Sequence, residues 1–155
     1  MGARVSIEQT LKVRDACLCL HAQRAARALA RRFDEALRPF DLTNGQFSLL
    51  MALNRPAPPT LGEVAHTLAM DRTTLTAALK PLARDGLLDI SVDPGDRRGR
   101  RLALTAAGHA RLDAALPAWR ALHRAIEAEL EAGDVVPDKL RKGLRALGGE
   151  GRPKS

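Results

Sequence analysis

The sequence predicts a mainly α-helical chain with one small β-hairpin, in which long helices at the two ends flank a compact group of three short ones. Three observations carry this. Apolar residues recur at steps of three, four or seven along most of the chain, the spacing of one helical face. Cap residues open the central helices: Thr43 with Gln46, Thr60 with Glu63, and Asp71. After Gly86 the period falls to two, Leu88, Ile90 and Val92 alternating with Asp89 and Ser91, as a half-buried strand requires. Hydrophobic residues make up 45% of the chain but aromatic ones only 3%, so the core must be built of leucine and alanine, which favours packed helices.

Taken in order, Ile7, Leu11, Leu18, Ala22, Ala25, Leu29, Phe33 and Leu37 place one long helix over about 6–38, ended by Pro39 because the residue before proline is pushed out of the α region. A helix of about thirty residues is too long for a small domain to cover, so part of its apolar face is expected to meet a second subunit. Thr43 opens a helix to about Leu53. Asn54 to Pro59 is a stiff connector, and Thr60 opens a short helix through Leu68. Met70 is a turn residue, and Asp71 caps a helix from Arg72 to about Arg84, closed at Gly86 in the C′ region. Leu88–Val92 and Arg101–Leu104 are strands, with a long polar loop from Asp93 to Arg100 between them. Thr105 caps a second long helix, to about Ala132, in which Pro117 should leave a kink. A last helix covers about Pro137 to Leu147, and 148–155 reads as a disordered tail. The whole is expected to be a single domain, with dimerisation helices at about 6–38 and 105–147 around a central lobe at about 43–104.

That order of elements, three short helices followed directly by a hairpin, is a winged helix-turn-helix. Its second helix lies in the major groove and presents N-terminal residues to base edges. Here these are Arg72, Thr73, Thr74 and Thr76, with Lys80 further along; threonine serves either base edges or phosphates. The hairpin carries Arg97, Arg98, Arg100 and Arg101 beside Asp96. A guanidinium reaching from a wing suits the narrow, negative minor groove, and Asp96 is placed to brace Arg98. A formal net charge of +7 fits a polyanionic partner, here duplex DNA.

The segments Asp41-Leu42-Thr43, Asp71-Arg72-Thr73-Thr74-Leu75-Thr76, Asp85-Gly86-Leu87-Leu88, Asp93-Pro94-Gly95-Asp96-Arg97-Arg98 with Leu102-Ala103-Leu104-Thr105, and Leu116-Pro117-Ala118-Trp119 resemble the MarR (multiple-antibiotic-resistance regulator) family. The resemblance runs nearly the length of the chain. It implies a homodimer with interlocked terminal helices, bound to a palindromic operator and usually repressing. It implies that the helix from Arg72 enters the major groove, and that Arg98, oriented by Asp96, enters the minor groove.

Two effector classes follow. The family includes sensors of organic hydroperoxides whose first-helix cysteine falls, by spacing to Arg27 and Thr43, on Cys19. Those sensors use tyrosines, and this chain has no Tyr; Gln23 takes one such place. Cys17 and Cys19, two apart on one helix, should point to nearly opposite sides, so a disulfide across the dimer or a mixed disulfide is expected rather than one between them. Two buried, inert cysteines are the plainer expectation. The rival effector is a small aromatic or phenolic acid, with Arg24, Trp119 and His123 as candidate lining residues. No metal or other cofactor is expected: Cys17 and His21 share a face, but two ligands are not a site, and His66 and His109 stand alone. Without a Gly-rich phosphate loop, a zinc-protease motif or a nucleophile with an evident base, the chain reads as no enzyme. A thiol peroxidase built on Cys19 and a helical protein-interaction module with an incidental basic surface are the competing classes. The N-terminal stretch has no signal-peptide pattern and no run is apolar enough to span a membrane, which points to the cytoplasm.

Overall fold

A computed structural model describes residues 4–149. Seven α-helices and one two-stranded antiparallel sheet follow one another as α1 (Ile7–Ala16), α2 (Leu18–Leu37), α3 (Asn44–Leu53), α4 (Leu61–Thr67), α5 (Arg72–Arg84), β1 (Leu88–Asp93), β2 (Asp96–Leu104), α6 (Ala106–Ala132) and α7 (Pro137–Leu147). A 3₁₀ turn, Arg38–Phe40, joins α2 to α3 and carries Pro39 at its N-terminal end, where its missing N–H costs nothing.

The expected N-terminal helix is two helices. Cys17 takes an extended conformation (φ −74°, ψ 101°), ends α1 and caps α2, its Sγ accepting the Leu20 N–H at 3.4 Å. The apolar periodicity runs through the break, which is why the pattern gave no sign of it. The central caps form as expected. Thr43 and Thr60 each accept the N–H of the residue three on, while the Gln46 and Glu63 side chains accept the Thr43 and Thr60 N–H groups in return. Asp71 caps α5. The turn between α4 and α5 puts Ala69 at φ +50°, a left-handed conformation, and the Met70 N–H donates to the Ala65 carbonyl at 2.9 Å.

The hairpin departs most from expectation. The segment 93–100 is no long loop. The chain reverses at Pro94-Gly95 and β2 starts at Asp96. The register shifts between Val92, opposite Arg100, and Asp93, opposite Asp96, so residues 97–99 form a bulge without cross-strand partners. Nor is β1 half-buried: Leu88 is 1% exposed, but Ile90 is 45% and Val92 54% exposed. The helices cover only the base of the hairpin, so alternation along β1 marks a strand without marking a buried face. The connector before α4 pins the other edge of β2. The Leu102 N–H donates to the Pro59 carbonyl at 3.0 Å, and Thr60 bridges to Arg101.

The core is the central lobe. Phe33 and Leu37 of α2 meet Phe47, Leu50 and Leu53 of α3, Val64 of α4, Leu75, Leu79 and Leu82 of α5, Leu88 and Leu102 of the hairpin, and Leu112 and Ala115 of α6. Thr105 ties α6 to this lobe: its hydroxyl donates to the Gly86 carbonyl at 2.6 Å and accepts the Gly108 N–H at 3.0 Å. α6 runs through Pro117 as one element. α1 buries nothing, and Val5, Ile7, Val13, Leu18, Leu144 and Leu147 are half or more exposed. Gly148 caps α7, while the rest of the expected tail, from residue 150, lies outside the described residues. Among the described residues no helix is long and apolar enough to cross a membrane.

Candidate nucleic-acid interface

The first turn of α5 is organised by Asp71. Its carboxylate accepts the Thr74 N–H at 2.8 Å and the Thr74 hydroxyl at 2.6 Å. Those bonds, the hydroxyl first and the backbone N–H second, hold its pKa below the usual carboxylate range. The helix end is therefore already occupied by an anion, which leaves less of its positive end for a DNA phosphate. Thr76 donates its hydroxyl to the Arg72 carbonyl at 2.7 Å. Thr73 makes no such bond among the described residues, and its exposed hydroxyl is free to donate outward. Thr73, Thr76 and Lys80, at steps of three and four, share one exposed face of α5. The Arg72 guanidinium reaches back over α4, within 3.2 Å of where a Cβ on Gly62 would sit. Small Gly62 thus gives Arg72 its resting place, a constraint that no sequence motif marks.

The wing is braced by an ion pair that sequence reasoning missed. Asp93, 8% exposed, accepts the Gly95 N–H at 2.9 Å and faces Arg101 Nε at 3.0 Å. The Gly95 bond foremost, with Arg101 assisting, lowers the Asp93 pKa. Arg101 also donates to the Pro58 carbonyl at 3.0 Å. It is thus a strut between connector and hairpin, while the other three wing arginines are exposed. Spacing alone could not separate Arg101 from its neighbours; pairing register does. Asp96 accepts the Arg98 backbone N–H at 2.9 Å, so it fixes the Arg98 main chain, and among the described residues the guanidinium is unheld. Arg100 donates to the carbonyls of Arg97 and Gly99 at 3.3 and 3.0 Å, closing the bulge that carries Arg97 and Arg98 outward. Gly99 sits inside the bulge, where a Cβ would come within 3.1 Å of both the Asp93 side chain and the Asp96 carbonyl.

Of the candidate effector residues, Trp119 and His123 are brought together and Arg24 is not. Trp119 is stacked on Phe33 and Phe47, ring centroids 6.1 Å away in each case, and on His123 at 4.7 Å. His123 Nδ1 lies 3.6 Å from Glu127, which accepts a hydrogen bond from Arg141 of α7 at 2.6 Å. Arg24 instead lines an open groove with Ala25, Arg27, Ala28 and Arg31, all on α2. The cysteines are also not two helical neighbours on opposite sides, since Cys17 lies outside the helix as its cap. Cys17 is half-buried; Cys19 is exposed, and the Gln23 amide donates to its Sγ at 3.2 Å. Among the described residues no three His, Cys, Asp or Glu side chains are grouped to hold a metal ion.

The arrangement matches known proteins. The model for the MarR family matches residues 40–99, from the 3₁₀ turn to the wing bulge. NicR, an HTH-type transcriptional repressor of Pseudomonas putida, is 36% identical over 95 residues, 61% of this chain and 60% of NicR. BadR, a transcriptional activatory protein of Rhodopseudomonas palustris, is 30% identical over 115 residues, 72% of this chain and 66% of BadR. The chain thus spans between 60% and 66% of the length of these curated relatives. The M. tuberculosis transcriptional regulator MosR, solved in complex with DNA, is 37% identical with a TM-score of 0.77, over 85% of this chain and 93% of that one. All three are transcription regulators, and neither competing class finds support among them. With MosR matched along nearly its whole length at this identity, the chain belongs to the MarR family of winged-helix transcription regulators.

Proposed function

We propose that the chain works in the cytoplasm as a homodimeric repressor that binds a palindromic operator in duplex DNA and lets go when an effector arrives. The observation that carries this is the pairing, in one lobe with a shared core, of the polar face of α5 with the bulge holding Arg97 and Arg98 outward. The α5 face (Thr73, Thr76 and Lys80, flanked by Arg72 and Thr74) reads the major groove, and the bulge reaches the minor groove. The DNA-bound MosR fold supports the docking, and NicR supports repression. Exposed apolar residues gathered on α1 and α7 support a second subunit, whose two-fold symmetry would match half-sites about one helical turn apart. The test is fluorescence anisotropy on the DNA upstream of the chain's own coding sequence. Arg98→Ala should weaken binding about tenfold while the melting temperature stays put, a loss typical of one specific contact. Unchanged affinity would remove the wing from the mechanism.

For the effector, an oxidant acting at Cys19 is favoured over a phenolic acid held by Trp119. Cys19 is exposed, so an oxidant can reach its sulfur, which accepts an N–H of the Gln23 amide. Trp119 is committed to Phe33 and Phe47. The same anisotropy assay, repeated after stoichiometric organic hydroperoxide and again after dithiothreitol, should show affinity lost and then regained in the parent and constant in Cys19→Ser. Parallel loss in both proteins would assign oxidation elsewhere.

A further inference from the structure

Arg24, Arg27 and Arg31 recur at steps of three and four on α2, so their side chains leave one face of the helix. Between them Ala25 and Ala28 present only methyl groups, and together the five line an open groove of 410 Å³. Stacking like charges a turn apart destabilises a helix unless something answers them. Several arginines elsewhere in the fold are answered, although those of the wing bulge are not. Arg32, one residue beyond Arg31, forks onto Glu129; Arg101 meets Asp93; Arg111 donates to the Phe40 carbonyl; Arg141 meets Glu127 and Asp138. Among the described residues Arg24, Arg27 and Arg31 have no carboxylate within ion-pair distance and no hydrogen bond, and Glu35, one turn past Arg31, is not drawn to it.

We infer that this groove is a binding site for a small polyanion carrying two or three phosphate or carboxylate groups. A guanidinium holds each such group through two parallel N–H donors, which a planar fork does better than an ammonium. Seven residues of helix separate Arg24 from Arg31, about 10 Å along the axis, so the fitting ligand spreads its charges over that length and lays an uncharged body on the alanine floor. A duplex would be read by α5 and the wing, which lie on other elements. In the reading of the chain as an effector-released repressor, on which only the coupling to DNA rests, the occupant of this groove is a second effector.

The experiment is isothermal titration of the full-length protein with inorganic tripolyphosphate, with sulfate as the single-anion control. Tripolyphosphate should bind once per chain and at least tenfold more tightly than sulfate. Arg24→Gln/Arg27→Gln/Arg31→Gln should lose that binding, and Arg27→Gln alone should weaken it several-fold. Arg97→Gln/Arg98→Gln should keep it. Glutamine sustains an exposed helix almost as well as arginine, and an unchanged melting temperature confirms the fold. Operator affinity of the triple variant should stay within about threefold of the parent, the loss expected of distant screened charge. Binding no tighter than sulfate's, whether from a merely solvated face or a groove covered by a second subunit, overturns the inference. So does binding lost in the wing variant and kept in the triple variant, or tripolyphosphate and operator binding lost together, which would make the groove a DNA contact. Tripolyphosphate bound by a parent that ignores every operator would leave the groove standing and sink the repressor.

Discussion

Thr73 and Thr74 are neighbours of the same type with different duties. Thr74 gives its hydroxyl and its N–H to Asp71 and so belongs to the cap of α5, whereas the exposed Thr73 hydroxyl has no partner among the described residues. Thr73→Ala should therefore cut discrimination between operator and random duplex several-fold at constant melting temperature, because only a base-edge contact is lost. Thr74→Ala should lower the melting temperature and weaken both duplexes together, since the N-terminal turn that orients the helix is loosened. Anisotropy on matched and random duplexes, beside thermal melts, separates the two; equal loss on both duplexes in Thr73→Ala would reduce it to a phosphate contact. The carboxylates that hold the frame also set its acid limit. Asp71, Glu63 and Asp93 all have pKa values lowered in the fold: by the Thr74 hydroxyl, by the Thr60 N–H and by the Gly95 N–H respectively. A depressed pKa gives stability that is complete above the unfolded value, about 4 for a carboxylate, and that is lost as pH falls through the folded value. Thermal melts should thus show none of this loss from pH 7 to 5 and a progressive fall below about pH 4, smaller in Asp93→Asn; a parent that loses the same stability between pH 7 and 5 would assign it to other groups.

At the scale of elements, the junction of the hairpin with α6 has no room to spare. Gly108, in the first turn of α6, faces the Leu87 backbone, and a Cβ there would meet the Leu87 carbonyl oxygen at 2.0 Å. That oxygen also accepts the Thr105 N–H at 3.2 Å, so it cannot move without straining the bond that anchors the cap residue. Gly108→Ala should cost about 3 kcal/mol, the severe end of overpacking, whereas Gly143→Ala, inside α7 where a Cβ would meet nothing within 4 Å, should gain up to about 1 kcal/mol from helix propensity. Chemical denaturation of the two variants checks it; a Gly108→Ala variant as stable as the parent would mean that the lobe yields at Leu87. Nothing in the sequence singled out Gly108, since a glycine in a helical pattern looks the same whether it faces a carbonyl or water. The capped helices α3, α4 and α5 were legible almost to the residue, because a cap is a local hydrogen bond written in adjacent positions. The break at Cys17 was not, because the thiol cap is an unusual one. The wing was legible as a hairpin but not in its register: the bulge at 97–99 is fixed by the Asp93–Arg101 pair and by Gly99, across the strands rather than along them.

For the whole molecule, a core contained in one lobe means that folding and assembly are separable. Phe33 and Leu37 of α2 sit in that core, so removing residues 1–38 would unfold the lobe as well as disturb any dimer, and is the wrong cut. The exposed leucines of α7 offer a cleaner one. Leu140 is 40% and Leu144 50% exposed, they lie four residues apart on one face, and neither belongs to the core. In a single chain that apolar surface gains nothing from its exposure; in the proposed two-fold dimer it would be covered. Leu140→Glu/Leu144→Glu should leave the thermal transition of the lobe cooperative while light scattering shows the mass of one chain instead of two. The monomer should then bind a half-site and the full palindrome with the same weak affinity, because the gain of the second half-site comes from linking two lobes and not from any added contact. A variant that stays dimeric would place the interface on α1 and the start of α2. A parent that is itself monomeric, yet binds the palindrome more tightly than the half-site, would mean that DNA assembles the pair.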